Sequence, residues 1–133
     1  MPDRATVFLI DDDQAVRDAI RLLLETSGFT VQAFASAIDF LNMAVIGQPG
    51  CLVLDVRMPG LSGLDLQKRL QAQGLRIPII FITGHGDVPM AIRAMKAGAL
   101  DFIEKPFQGQ TLLARIEEAL AVDGQERHRQ AQR

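Results

Sequence analysis

The sequence predicts a single α/β domain, a doubly wound five-stranded parallel sheet in the order 2-1-3-4-5 with five helices. Three observations lead there. Short β-rich apolar runs alternate five times with stretches of helical period, a pattern that pairs strands in parallel and covers both sheet faces with helices. Two of the runs, CLVLDV (51–56) and IPIIFIT (77–83), are almost continuously apolar, as strands buried on both faces are. The 133 residues accommodate one domain of ordinary size and leave little for a second.

The first strand is TVFLI, Thr6 to Ile10, β-branched and aromatic, and it stops at three aspartates. Val16, Ile20 and Leu23 then recur at i, i+4 and i+7 with Arg17, Arg21 and Glu25 on other faces, an amphipathic helix for which Asp13 is a suitable N-cap. Ser27-Gly28 closes it, and FTVQAF (29–34) is a second strand. Ser36 is placed to cap a helix whose apolar positions include Ile38, Leu41 and Val45. Pro49-Gly50 precedes the third strand, and the turn-rich MPGLSG (58–63) leads from it to a helix carrying Leu64, Leu66 and Leu70. After the fourth strand come Gly84 and Gly86, then a helix with Asp87 as N-cap and Pro89 in its first turn. Val88, Ile92 and Met95 are expected to face inward on it, and Gly98 ends it. LDFI (100–103) is a short fifth strand, and the last helix carries Leu112, Leu113, Ile116 and Leu120. The domain is expected to span 1–121. The remainder, 122–133, is polar and helix-compatible with no apolar face, and reads as a linker start or solvated tail. Sheets of this flavodoxin-like order place ligands beyond the carboxyl ends of their strands.

Composition narrows the function classes. Hydrophobic residues at 48% and charged residues at 23% describe a chain with a real core rather than a disordered tail. A net charge of -2 recommends neither nucleic acid nor an anionic membrane as partner. No apolar run approaches the roughly 20 residues that span a bilayer, and MPDRATVFLI turns polar again at Asp11, unlike a signal peptide. Cys51 is the lone cysteine, which excludes an internal disulfide and a cysteine-based metal site. It reads as a small buried hydrophobe, and the expected setting is reducing and cytoplasmic. The absence of Trp and Tyr weighs against an aromatic-lined sugar or nucleic-acid surface.

The predicted sheet order makes strands 1, 3, 4 and 5 consecutive neighbours. Their ends then bring Asp11, Asp12, Asp55, Thr83 and Lys105 into one crevice. A single Asp at a strand end is ordinarily a solvated cap, as Asp13 is, and a lone Thr or Lys in a loop is ordinarily structural. Five such groups converging at one edge of an apolar sheet are not explained that way. Clustered carboxylates repel one another, and a hard divalent cation relieves the repulsion. Magnesium favours one or two carboxylates, retained waters and a phosphoryl oxygen. Lys105 adds a compact positive charge and Thr83 a hydroxyl donor. Such a site can accept a phosphoryl group on a carboxylate, a transfer governed by positioning and charge neutralisation.

These residues resemble the receiver domains of bacterial two-component response regulators. The matching segments are FLIDDD (8–13), LDVRMPGLSG (54–63), FITGHGD (81–87), AMKAGALDF (94–102) and EKPF (104–107), in order and over almost the whole chain. The stretch from Thr83 to Phe107 is most similar to the nitrogen-fixation and nodulation regulators, which carry a C-terminal helix-turn-helix domain. The resemblance implies that Asp55 is the phosphoacceptor. It implies magnesium held by Asp12 directly, by Asp11 through water, by Asp55, and by the backbone carbonyl of Arg57. It further implies that Thr83, Gly84 and Lys105 bind the phosphoryl group and that Lys105–Pro106 is cis. Thr83 and Phe102 would form the switch, Phe102 swinging inward as Thr83 moves. Without the resemblance Phe102 reads as a core aromatic and His85 as a solvated loop histidine; the resemblance adds for His85 a role in modulating dephosphorylation. His128 reads as tail. The Arg57 side chain is expected to influence phosphate lifetime or kinase contact.

The implied partners are a sensor histidine kinase and a second copy of the chain, joined through the face of the fourth helix and fifth strand after phosphorylation. Output would be transcription through a DNA-binding domain outside this chain, with QERHRQAQR as the start of an inter-domain helix; a free-standing receiver acting by protein contact is the alternative. A third reading, a phosphohydrolase of the haloacid dehalogenase type, needs a second aspartate two residues after the nucleophile as general acid and base. Arg57 occupies that position. A phosphoaspartate with slow self-hydrolysis is expected instead.

Overall fold

The computed structural model describes residues 5–43, 47–84 and 87–131. Along the chain run β1 (Thr6–Ile10), α1 (Gln14–Thr26), β2 (Thr30–Phe34), α2 (Ala37–Met43) and β3 (Gly50–Asp55), followed by α3 (Gly63–Ala72), β4 (Ile79–Thr83), α4 (Val88–Lys96), β5 (Asp101–Glu104) and α5 (Gly109–Ala131). The five strands form one sheet in the order β2-β1-β3-β4-β5, all pairs parallel. Among the described residues no helix is long and apolar enough to cross a membrane.

Alternation of side chains along each strand divides the interior in two. Phe8, Ile10, Leu52, Leu54 and Phe81 pack on one face with Phe40, Leu66, Leu70 and Ala94. Phe40 meets Phe8 and Phe34 edge-on, at centroid distances of 5.6 and 5.5 Å. Val7, Leu9, Val53, Ile80, Ile82 and Ile103 point the other way, against Ile20 and Leu24 of α1 and Leu112 and Ile116 of α5. Every residue of β3 and β4 is buried, which is why their sequences are apolar without alternation.

Caps set the helix starts. Asp13 accepts from the N–H groups of Ala15 and Val16, and Ser36 accepts from that of Asp39. Two expected helix faces are corrected in part; Leu41 of α2 and Met95 of α4 do pack, partly buried, against the core. On α4 the buried residues are Ala91 and Ala94, whereas Val88 and Ile92 are exposed; the two alanines let the helix approach the sheet closely, and that contact sets its phase. On α2 the buried residues are Ala37 and Phe40, while Ile38 is exposed and Val45 lies outside the described residues. In a helix this short the bulkiest ring decides which side faces in.

The C-terminal segment also differs from expectation. Helix α5 runs without a break through residue 121 to Ala131. Asp123 is buried, accepting the Gly50 N–H at 2.9 Å and the Arg127 Nε–H at 2.8 Å. Arg127 Nη2 donates to the Gln48 carbonyl at 2.6 Å. The last turns of α5, which carry no apolar stripe, are therefore docked by polar groups at i, i+4 spacing, which satisfy backbone atoms at the start of β3. For Asp123 and Arg127 the expectation of a solvated tail is overturned.

Candidate functional site

Parallel register brings the strand ends together. Ile10 pairs with Leu54, so Asp11 follows β1 where Asp55 ends β3; Asp55 in turn pairs with Ile82, next to Thr83. Thr83 pairs with Glu104, and its carbonyl accepts the Lys105 N–H at 2.7 Å. The Lys105–Pro106 peptide is cis. Asp11, Asp55, Thr83 and Lys105 thus converge at one sheet edge, with Asp12 exposed beside them.

The carboxylates are held differently. Asp11 Oδ1 accepts the Asp13 N–H at 2.9 Å, and the Asp11 carbonyl accepts from Arg17 Nη1 at 2.7 Å. Its Oδ2 is buried without a hydrogen-bond partner among the described residues, 3.7 Å from Lys105 Nζ. Asp55 Oδ1 accepts the Arg57 N–H at 3.1 Å, and its Oδ2 lies 3.6 Å from Lys105 Nζ. Burial pushes both carboxyls above the ordinary carboxylate range, against the opposing pull of backbone N–H donors and Lys105. One oxygen from each of Asp11, Asp12 and Asp55 lies within 4.8 Å of the others. An all-oxygen donor set with an orphaned buried carboxylate oxygen fits a hard divalent cation.

Thr83 is fully buried, and its Oγ1 has no hydrogen-bond partner among the described residues. A hydroxyl in that state is a donor waiting for an acceptor. Phe102, level with Phe81 in the register, is half-buried and packs against the core face that holds Phe81. The Gly84 carbonyl accepts the Asp87 N–H at 3.2 Å. His85 and Gly86 lie outside the described residues. His128 is on the exposed face of α5, and Cys51 is buried, its thiol pushed up to about 12 by burial.

Asp87 departs from expectation. It occupies the N-cap position of α4 but makes no side-chain cap. Its Oδ1 instead accepts from Arg57 Nε at 3.0 Å and Nη2 at 2.8 Å, and Nη2 also contacts Met90 Sδ at 3.4 Å. The Arg57 guanidinium holds the Asp87 carboxyl below the ordinary range.

Two supports of the site escaped the sequence reading. Ser62 and Asp65 form a reciprocal capping box at the start of α3, for which the Ser-x-x-Asp spacing was the available signal. Gly63 presses its backbone against the end of β3: a Cβ there would overlap the Asp55 carbonyl oxygen and touch the Phe81 ring. Only the assembled loop shows why glycine is required.

Residues 7–117 match the family model of the response regulator receiver domain. The response regulator protein TodT of Pseudomonas putida is 52% identical over 128 residues, covering 96% of this chain and 56% of that protein. The transcriptional regulatory protein FixJ of Azorhizobium caulinodans is 50% identical over 120 residues, covering 90% of this chain and 57% of that protein. The chain therefore spans little more than half the length of these curated relatives. Among solved structures, the low-resolution structure of the response regulator StyR superposes with a TM-score of 0.91 at 50% identity, covering 97% of this chain and 65% of that one.

Proposed function

The chain belongs to the family of response regulator receiver domains, and on that premise we propose that Asp55 is its phosphoacceptor and that phosphorylation changes the surface it presents. The observation that carries this reading is the Asp55 carboxylate at the carboxyl end of β3, flanked by the Asp11 carboxylate and by Lys105 Nζ at 3.6 Å. An Asp55 carboxylate oxygen attacks phosphorus, a new P–O bond forms, and the bond to the donor's leaving group breaks with its electron pair going to that group. The donor is a sensor histidine kinase or a small acyl phosphate. Lys105 neutralises charge on the transferred group, and the Thr83 hydroxyl, unpartnered among the described residues, donates to one of its oxygens.

Magnesium would be held by Asp11, Asp12, Asp55 and the Arg57 carbonyl, with Gly84 completing the phosphoryl-binding set beside Thr83 and Lys105. When bound it neutralises the clustered carboxylates and the incoming phosphate. Thr83 and Phe102 are the switch pair: drawing the Thr83 hydroxyl toward the phosphoryl group vacates space for the half-buried ring. The second output is a homodimer through the α4–β5 face, a reading supported by the exposed Val88 and Ile92. Transcription, through a DNA-binding part outside this chain, is the downstream effect, in the cytoplasm; the relatives' names support the transcriptional part.

The test is intact-mass spectrometry after incubation with acetyl phosphate and magnesium. One added phosphoryl group, lost in Asp55→Asn and lost without magnesium, is the expected result. Full labelling of Asp55→Asn would move the acceptor elsewhere.

A further inference from the structure

The N-caps of α1 and α3 share one geometry, and that of α4 does not. Asp13 (ψ 113°) and Ser62 (ψ 168°) have extended backbones, and their side chains accept N–H groups of the first turn. Asp87 has ψ 14° and no side-chain cap. Pro89 contributes no N–H, so Met90 carries the first-turn donor within reach of a capping carboxylate, and its N–H turns back to the Asp87 carbonyl at 3.1 Å. The Asp87 carboxylate is engaged instead by Arg57, two residues beyond the acceptor. The Asp87 side chain is only 12% exposed, whereas that of Arg57 is 67% exposed and has room to turn.

We propose that the Arg57–Asp87 ion pair is a latch between the acceptor loop and α4: once Asp55 carries a phosphoryl group, the guanidinium turns to that group and the released Asp87 carboxylate caps α4 at the Met90 N–H. This inference rests on Asp55 being the phosphoacceptor. A phosphoryl group presents more negative charge than the Asp87 carboxylate and three strong acceptor oxygens, and guanidinium binds such a group in bidentate fashion. Arg57 already feels the Asp55 charge, though less than that of Asp87, and both raise its pKa. The released carboxylate gains a helix N-terminus, whose partial positive charge favours an anion, and can take the Met90 N–H from its short return bond to the Asp87 carbonyl. The latch therefore links the acceptor to the helix that exposes Val88 and Ile92. Arg57 acts as a positioning residue for the output helix, in addition to any contact it makes with the phosphoryl group.

The experiment follows amide hydrogen exchange of Met90 and Ala91 by NMR, with and without beryllofluoride and magnesium, beside acetyl phosphate labelling of the same samples. In the parent chain beryllofluoride should slow Met90 exchange about fivefold, the factor equivalent to one N-cap. In Arg57→Ala the latch is already open, so Met90 should be slow from the start and gain nothing further. Asp87→Ser, whose hydroxyl caps but forms no ion pair, should show the same Met90 behaviour while Asp55 still labels. Normal labelling with a Met90 rate that ignores beryllofluoride overturns the latch alone, as does an Arg57→Ala response equal to the parent's. Failure of the folded parent to label or to bind beryllofluoride overturns the phosphoacceptor reading and the latch together.

Discussion

Lys105 Nζ lies 3.6 Å from Asp55 Oδ2 and serves the Asp11 carboxylate at almost the same distance, 3.7 Å. One cation thus offsets two buried carboxylates that would otherwise repel each other. Its ammonium is a compact charge on a flexible stem, able to follow a phosphoryl group that replaces the carboxylate charge.

Replacing that cation tests its role. Lys105→Gln should slow acetyl phosphate labelling of Asp55 by about a hundredfold, the scale for losing one preorganised charge-stabilising group. Initial labelling rates by intact mass measure it. A slowing below about threefold would make Lys105 a structural counter-ion rather than a phosphoryl ligand.

Stability should depend on pH through Asp11. Burial raises its folded-state pKa above 3.8, so the stability it contributes is complete below 3.8 and is lost as pH rises through the folded value. Asp11→Asn stays neutral and keeps an acceptor for the Asp13 N–H. In the presence of chelator the variant should therefore melt higher than the parent near neutral pH, and the gap should close as pH falls toward 3.8. Added magnesium should stabilise the parent more than the variant. Parent and variant melting together at neutral pH would show that Lys105 and the backbone donors already offset the burial.

The docking of α5 is testable at Asp123. Asp123→Ala leaves the Gly50 N–H and the Arg127 guanidinium without their shared partner, and should destabilise the fold by about 2 kcal/mol. Urea unfolding at constant m-value reads the difference. A shift within ~0.5 kcal/mol would mean that water replaces both contacts without loss.

Dimerisation through α4 predicts a phosphorylation-dependent change in mass. With beryllofluoride the parent should run as a dimer in light scattering, and Ile92→Asp as a monomer that still labels at Asp55. A parent that stays monomeric at high concentration removes the α4–β5 dimer from the proposal.

The legible part of the site was its polar signature. Asp11, Asp55, Thr83 and Lys105 were visible because each ends or directly follows an apolar strand, and the order 2-1-3-4-5 was the natural candidate for five alternating strands and helices. The strand limits read from the sequence agree with the structure to within two residues. Less legible were the faces of short helices. Val88 and Ile92 look like core by period, yet Ala91 and Ala94 face the sheet, because close approach favours small side chains over large ones.

Residue order alone determined which groups end each strand, and hence that carboxylates, a hydroxyl and an ammonium meet at one edge. That follows because strand period and crossover handedness are local rules. Three features were left to the tertiary structure: the pairing of Arg57 with Asp87 across 30 residues, the anchoring of Asp123 to Gly50 across 73, and the contact that leaves Gly63 no room for a side chain. Each depends on how two distant backbone segments approach, a distance that no periodicity in the chain encodes.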